Sequence, residues 1–186
     1  RVRSDRGAVV FINPVPEKGL DRAIEIAAAC PEIPFLFVES WPLSPEALSS
    51  LKSSIAPHRN ITLERRKDDV RDVYARARFL LAPSLWREAW GRVASEAQCS
   101  GLPVIGSDRG GLPEAIGPGG LVIPADAELA GWVAAVRRLW FDARHYDEMS
   151  ERALMHAERP EMNPEARFET FLDVIGGACA RTRVAQ

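Results

Sequence analysis

The apolar run Phe79-Leu80-Leu81-Ala82-Pro83-Ser84 passes within four residues into Glu88-Ala89-Trp90-Gly91-Arg92-Val93-Ala94-Ser95-Glu96-Ala97, and Gly101-Leu102-Pro103-Val104 follows. The first run is short, continuous and apolar, as expected of a strand covered on both faces in a parallel sheet. Gly91 then opens a helix that ends before Gly101. Glu88 precedes the helix and Glu96 lies inside it, with seven residues between them. Two carboxylates on either side of free helix amides suit a polyhydroxylated ligand approached from two directions.

The same alternation runs outward from this stretch. Upstream, Ala8-Val9-Val10-Phe11-Ile12, Phe35-Leu36-Phe37-Val38 and Asn60-Ile61-Thr62-Leu63 read as strands. The first helix begins near Glu17-Lys18-Gly19 and carries Leu20, Ala23, Ile24, Ala27 and Ala28 at helical spacing. The second has Pro45 in its first turn and Ser44 as its cap. A third, capped by Asp68 or Asp69, carries Val70, Val73, Tyr74 and Ala77. Downstream, Pro103-Val104-Ile105-Gly106 and Leu121-Val122-Ile123 are strands, with a helix opened by Gly110-Gly111 between them. A helix from about Asp126 buries Leu129, Trp132, Val133, Val136 and Leu139 or Trp140. Two further helices span about 144–158 and 164–182, the last striped by Phe168, Phe171, Leu172, Ile175 and Cys179. Strict strand–helix alternation predicts an α/β doubly wound parallel sheet of about six strands, with helices on both faces and right-handed crossovers. Ligands of such sheets lie at the carboxyl ends of the strands.

Composition narrows the class. With 186 residues the chain makes one domain, residues 1–7 reading as linker and 144–186 as trailing helices. A formal net charge of -2 gives no basic field for nucleic acid. No apolar run approaches the roughly 20 residues of a membrane-spanning helix. Cys30, Cys99 and Cys179 are odd in number and widely spaced, which reads as reduced thiols in a cytoplasmic domain.

Three loops at strand ends hold the unusual residues. After the first strand, Lys18 and Gly19 stand at a helix start, where an anion is favoured; a surface lysine before a tolerated glycine is the alternative. The loop lacks the Walker pattern, and no G-x-G-x-x-G follows the strand. After the fourth strand, Gly91 permits close approach to the amides, Glu96 can accept from two vicinal hydroxyls and Glu88 can reach a second sugar. The alternative takes Glu88 as loop surface and Glu96 as an exposed helix residue. After the fifth strand, Arg109-Gly110-Gly111 and Glu114 allow close backbone approach or form an ordinary turn and cap. Arg66, in the mixed run Glu64-Arg65-Arg66-Lys67-Asp68-Asp69, is a solvated turn residue or a nucleotide contact. His58, His145 and His156 sit in unrelated polar surroundings. Ser84 has no nucleophile-elbow glycines, which argues against acyl transfer.

From about Val9 to Phe141 the chain resembles the carboxyl-terminal domain of a family-4 glycosyltransferase, a Rossmann-like half of a GT-B fold. Glu88 through Glu96-Ala97 is similar to the family's E-x7-E signature, and Ser100-Gly101-Leu102-Pro103-Val104 to the strand after it. Pro14-Val15-Pro16-Glu17-Lys18-Gly19 matches its lysine–glycine loop, and Gly110-Gly111-Leu112-Pro113-Glu114 its later glycine pair. The resemblance implies a nucleotide-diphosphate sugar as donor, transfer with retention of configuration, no cofactor and no metal at the diphosphate. It makes Lys18 the residue that holds the diphosphate, and Glu88 and the amides of Trp90, Gly91 and Arg92 the contacts to the sugar. Glu96 becomes the ribose clamp, with Gly19, Val93, Gly110 and Gly111 lining the site. It also implies a separate amino-terminal domain that binds the acceptor, and leaves room for peripheral membrane contact by the longer protein.

Two positions depart from the family. Asn13 stands where an arginine is usual, so one phosphate cation is missing unless Arg92, Arg109 or Arg66 replaces it. Glu39-Ser40-Trp41-Pro42 replaces a glycine-rich turn. Two competing readings follow: a non-catalytic nucleotide-sugar-binding module, or another GT-B enzyme such as a sugar-nucleotide epimerase.

Overall fold

A strand buried on both faces sends alternate side chains to opposite sides, and this sheet sorts its residues in that way. The computed structural model describes residues 2–184, with side chains throughout except for 161, 164 and 176–184. Six strands, β1 (Ala8–Ile12), β2 (Phe35–Val38), β3 (Ile61–Glu64), β4 (Ala77–Ala82), β5 (Val104–Ser107) and β6 (Gly120–Ile123), form one sheet in the order β3-β2-β1-β4-β5-β6, all parallel. Val9, Phe11, Phe35, Phe37, Phe79, Leu81 and Ile105 face one core, and Val10, Leu36, Val38, Leu80, Ala82 and Val104 face the other.

The first core is covered by helices α1 (Leu20–Ala29), α2 (Pro45–Ile55) and α6 (Leu129–Phe141), with α7 (Ala143–Ala157) contributing Tyr146 and Met149. The second is covered by α3 (Arg71–Tyr74), α4 (Arg92–Gln98) and α5 (Leu112–Ile116). The predicted doubly wound α/β sheet is therefore present. Its strand order reverses between β1 and β4, and at such a point the loops diverge and leave a crevice.

Local chemistry explains the boundaries. Ser44 caps α2, its hydroxyl accepting from the Ala47 amide at 3.2 Å, as its sequence position predicted. The first predicted helix divides in two. A 3-10 turn, Pro16–Lys18, ends at Gly19, whose φ of 82° breaks the run, and α1 starts at Leu20. Ile26 rather than Ala28 completes its buried face. The third predicted helix is largely absent: α3 holds four residues, and Ala77 pairs with Ala8 at the start of β4. Strand pairing there outcompetes the helical spacing. Asp69 still holds the turn, its carboxylate accepting from the Arg71 amide at 2.9 Å.

Residues 2–7 are tied down through Asp5 N to Ala75 O and Gly7 N to Arg76 O. The chain divides into two compact units, Arg1–His156 and Ala157–Gln186. The second holds α8 (Pro164–Val184), on which Phe168, Phe171, Leu172 and Ile175 are exposed. The fifth residue of the predicted stripe, Cys179, lies outside the described side chains. Among the described residues no helix is long and apolar enough to cross a membrane.

Candidate functional site

The carboxyl edge of the sheet at β1 and β4 opens into a cavity of about 400 Å³. Two loops meet there because the Glu17 carbonyl accepts from the amides of Leu85 (3.0 Å) and Trp86 (2.9 Å). This clamp brings the β1 loop against the β4 loop. Gly19 makes the approach feasible, since a Cβ there would lie 2.0 Å from the Pro83 carbonyl oxygen. The glycine thus serves contact between loops, and it does not line the cavity.

The result is a close ion pair. Lys18 Nζ lies 2.5 Å from Glu88 Oε1, both side chains largely shielded from water. Ser84, itself buried, donates to the same Glu88 oxygen at 2.9 Å, and Ser107 donates to the Ser84 carbonyl at 2.6 Å. The Trp41 ring centroid is 5.2 Å from Lys18 Nζ, within reach of a cation–π contact.

Glu88 is fixed from behind by the glycine pair. The Gly111 amide donates to the Glu88 carbonyl at 2.7 Å, and Gly110 forms a parallel bridge with Glu88. A Cβ on Gly110 would meet the Glu88 carbonyl oxygen at 2.2 Å, and one on Gly111 the Ala89 carbonyl oxygen at 2.6 Å. The structure therefore places Gly110 and Gly111 behind the cavity wall, where they position Glu88.

Glu96 lines the cavity from the second turn of α4. Its Oε2 accepts from the Tyr74 hydroxyl at 3.0 Å, and its Oε1 lies 3.6 Å from Arg92 Nε. Burial, and then the neighbouring Glu96 carboxylate, push the Tyr74 phenol well above its ordinary range, so it stays a donor. Trp90 is held by its indole N–H to Ser95 Oγ at 3.0 Å, and Gly91 enters α4 with φ 91°, its missing Cβ leaving room for Leu112. Trp90, Gly91, Arg92 and Val93 all line the cavity. Its charged lining, Lys18 and Arg92 against Glu88 and Glu96, sums to zero.

Asn13 also lines the cavity, though its carboxamide oxygen is occupied: it accepts from the amides of Ser40 at 3.1 Å and Trp41 at 2.8 Å. Arg66 lies apart, on a neighbouring cavity of about 330 Å³. Arg109 is beside Asp108, at 3.8 Å, and does not line the first cavity. Among the described residues no three His, Cys, Asp or Glu side chains gather as metal ligands. The sequence alone did not single out Tyr74, Ser84 or Trp41 as site residues. Tyr74 carried a signal in its spacing from Val70 and Val73, whereas nothing near Ser84 announced its bond to Glu88.

The sequence model for glycosyl transferases group 1 matches residues 6–142. The chain belongs to that family. D-inositol 3-phosphate glycosyltransferase of Corynebacterium kroppenstedtii is 38% identical over 104 residues, covering 55% of this chain and 23% of the relative. The Mycobacteroides abscessus enzyme of the same name is 28% identical over 194 residues, covering 100% of this chain and 42% of its own. Anabaena HepE, solved with UDP-glucose, superposes with a TM-score of 0.76 at 19% identity, over 91% of this chain and 49% of HepE. The chain is thus a GT-B glycosyltransferase domain, spanning less than half the length of these relatives.

Proposed function

We propose that this domain is the donor-binding half of a retaining glycosyltransferase that moves a sugar from a nucleotide-diphosphate sugar to an acceptor held by a separate amino-terminal domain. The observation that carries the reading is the placement of the Lys18–Glu88 pair and the Tyr74-bound Glu96 on one cavity at the switch point of the sheet. Glu96, oriented by Tyr74, accepts from the ribose hydroxyls. Lys18 holds the diphosphate and takes up the charge that develops on the departing nucleoside diphosphate, with no metal assigned there. Glu88, already fixed by Ser84 and Gly111, accepts from sugar hydroxyls and keeps Lys18 in place until phosphate competes for it. The backbone at Trp90, Gly91 and Arg92 completes the sugar wall. The UDP-glucose held by HepE, which shares the fold, supports the donor class. In this reading α8 packs towards the amino-terminal domain, whereas α7 lends Tyr146 and Met149 to the core of this one. We assign the reaction to the cytoplasm on the free thiols Cys30 and Cys99.

A second reading, a nucleotide-sugar-binding module without transfer activity, is favoured by Asn13, whose oxygen serves a loop where the family places a phosphate cation. Transfer and donor hydrolysis by the longer protein separate the two. Lys18→Ala should lower kcat by a factor of roughly 100 to 1000, the size of one lost charge-stabilising group. Glu96→Ala should act mainly on KM for the donor. A protein that is stabilised by nucleotide sugars yet turns over none would establish the module reading. Binding itself is read by thermal shift, where ligand at 100 times Kd adds about 2.7 kcal/mol.

A further inference from the structure

The loop after β2 is built to hold one indole in place. Asn13 has a φ of 59°, the left-handed conformation that asparagine tolerates better than most residues. In that pose its side-chain oxygen accepts from two successive amides, Ser40 and Trp41. Two residues on, the Leu43 amide donates to Glu39 Oε1 at 3.0 Å, and the Leu43 side chain packs on the first core. Glu39 is itself buried. A loop pinned at Ser40, Trp41 and Leu43 nonetheless leaves Trp41 54% exposed.

That exposure is directed. Trp41 lines both the cavity with Lys18, Glu88 and Glu96 and the neighbouring one, and Ile12, Ser40 and Val70 do the same. The indole therefore stands where the two cavities adjoin. On one side is Lys18, 5.2 Å from the ring centroid. On the other, Ile12, Val38, Val70 and Val73 make an apolar lining, with Arg66 and Asp68 adding polar groups. A fixed, half-exposed aromatic face beside an apolar slot with polar groups suits a flat heterocycle with hydrogen-bonding edges.

Resting on the nucleotide-sugar reading above, we infer that Trp41 stacks on the donor's nucleobase, and that Asn13 is a positioning residue that holds Trp41 in place rather than a ligand of the diphosphate. At position 13 this chain carries an uncharged side chain whose oxygen is spent on the Trp41 loop. Donor affinity then depends more on the base and less on ionic contacts than a second cation would make it.

The test is a thermal-shift titration of the 186-residue chain with uridine, adenosine and guanosine diphosphates and with inorganic pyrophosphate. Trp41→Ala should weaken the best nucleoside diphosphate about tenfold, the size of a base–aromatic stack. It should change pyrophosphate by less than about twofold, since Lys18 is left intact. Trp41→Phe should recover most of the loss and Trp41→Leu little of it, because leucine keeps apolar bulk without a ring. Asn13→Ala should move in the same direction as Trp41→Ala, again with pyrophosphate spared. Equal losses for pyrophosphate and nucleotide, no loss for either, or full recovery by leucine would each overturn the stacking role. A wild-type chain that no nucleoside diphosphate stabilises would instead count against the nucleotide-sugar reading itself.

Discussion

Tyr74 donates a hydrogen bond to Glu96, and burial denies it the water that would stabilise a phenolate. Tyr146 is likewise raised, first by burial, and the chain contains two tyrosines. In the unfolded chain both ionise near 10.0, while the folded chain holds both protons to higher pH. Above that pH the unfolded state binds fewer protons, so stability that is complete below about pH 10 is lost as the pH rises. Urea midpoints should therefore hold from neutral pH to about pH 9 and fall beyond pH 10, with tyrosinate absorbance appearing at higher pH in the folded chain than in the urea-unfolded one. Tyr74→Phe should make that alkaline fall shallower. It should also cost about 0.5–1.5 kcal/mol at neutral pH and weaken nucleotide binding a few-fold. At this scale the sequence points to Lys18, Glu88 and Glu96, which stand in one cavity, and also to Arg66, which lies on the neighbouring one. Their partners were not legible: Tyr74 reaches Glu96 across 22 residues, and Ser84, only 4 residues from Glu88, sits in an irregular loop whose geometry has no sequence period. The sequence shows that position 13 carries no charge, whereas the bonds of Asn13 to Ser40 and Trp41 span 27 and 28 residues and leave no local pattern.

Elements place these residues, and their joints are more sensitive than their lengths suggest. Gly110 has φ 61° and faces the backbone of Glu88 at separations a methyl group cannot occupy. Gly110→Ala should destabilise the chain by more than about 1 kcal/mol and weaken ligand binding beyond that, because Glu88 moves with the loop. Ser44→Ala is the matching control. It removes the α2 cap, away from the cavity, and should cost about 1 kcal/mol in chemical denaturation while leaving nucleotide affinity unchanged. Cap chemistry and apolar runs made the strands and α2 readable because both are local. α3 was overestimated because Val70, Val73, Tyr74 and Ala77 keep helical spacing, while the pairing of Ala77 with Ala8 belongs to a strand 69 residues away. Of the two readings of the glycine pair, close backbone approach or an ordinary turn and cap, the sequence chooses neither, and the pair's close neighbours are the carbonyls of another loop.

At the scale of the whole molecule, the family match ends at residue 142 and the first compact unit at His156. A chain ended after Ala157 should therefore keep one cooperative thermal transition, with a midpoint within a few degrees of the longer chain, and the same nucleoside diphosphate response. Loss of folding on that truncation would show that α8 supports the first unit. The α/β class and strand count were legible because six buried runs alternate with helices, whereas the reversal between β1 and β4 leaves no mark in either strand's own residues.

That reversal has a consequence for cooperativity. Asn13, Lys18 and Trp41 belong to the half of the sheet before β4, and Glu88 and Glu96 to the half after it. The two halves meet along β1 and β4, where Val9 lies beside Phe79 and Val10 beside Leu80. A ligand that grips both sides acts as a staple across this seam. Linkage is reciprocal, so whatever free energy the staple adds to the seam is also what a loosened seam subtracts from the grip. A substitution such as Val9→Ala, which touches no ligand, would be felt as weaker binding by a molecule that never meets it.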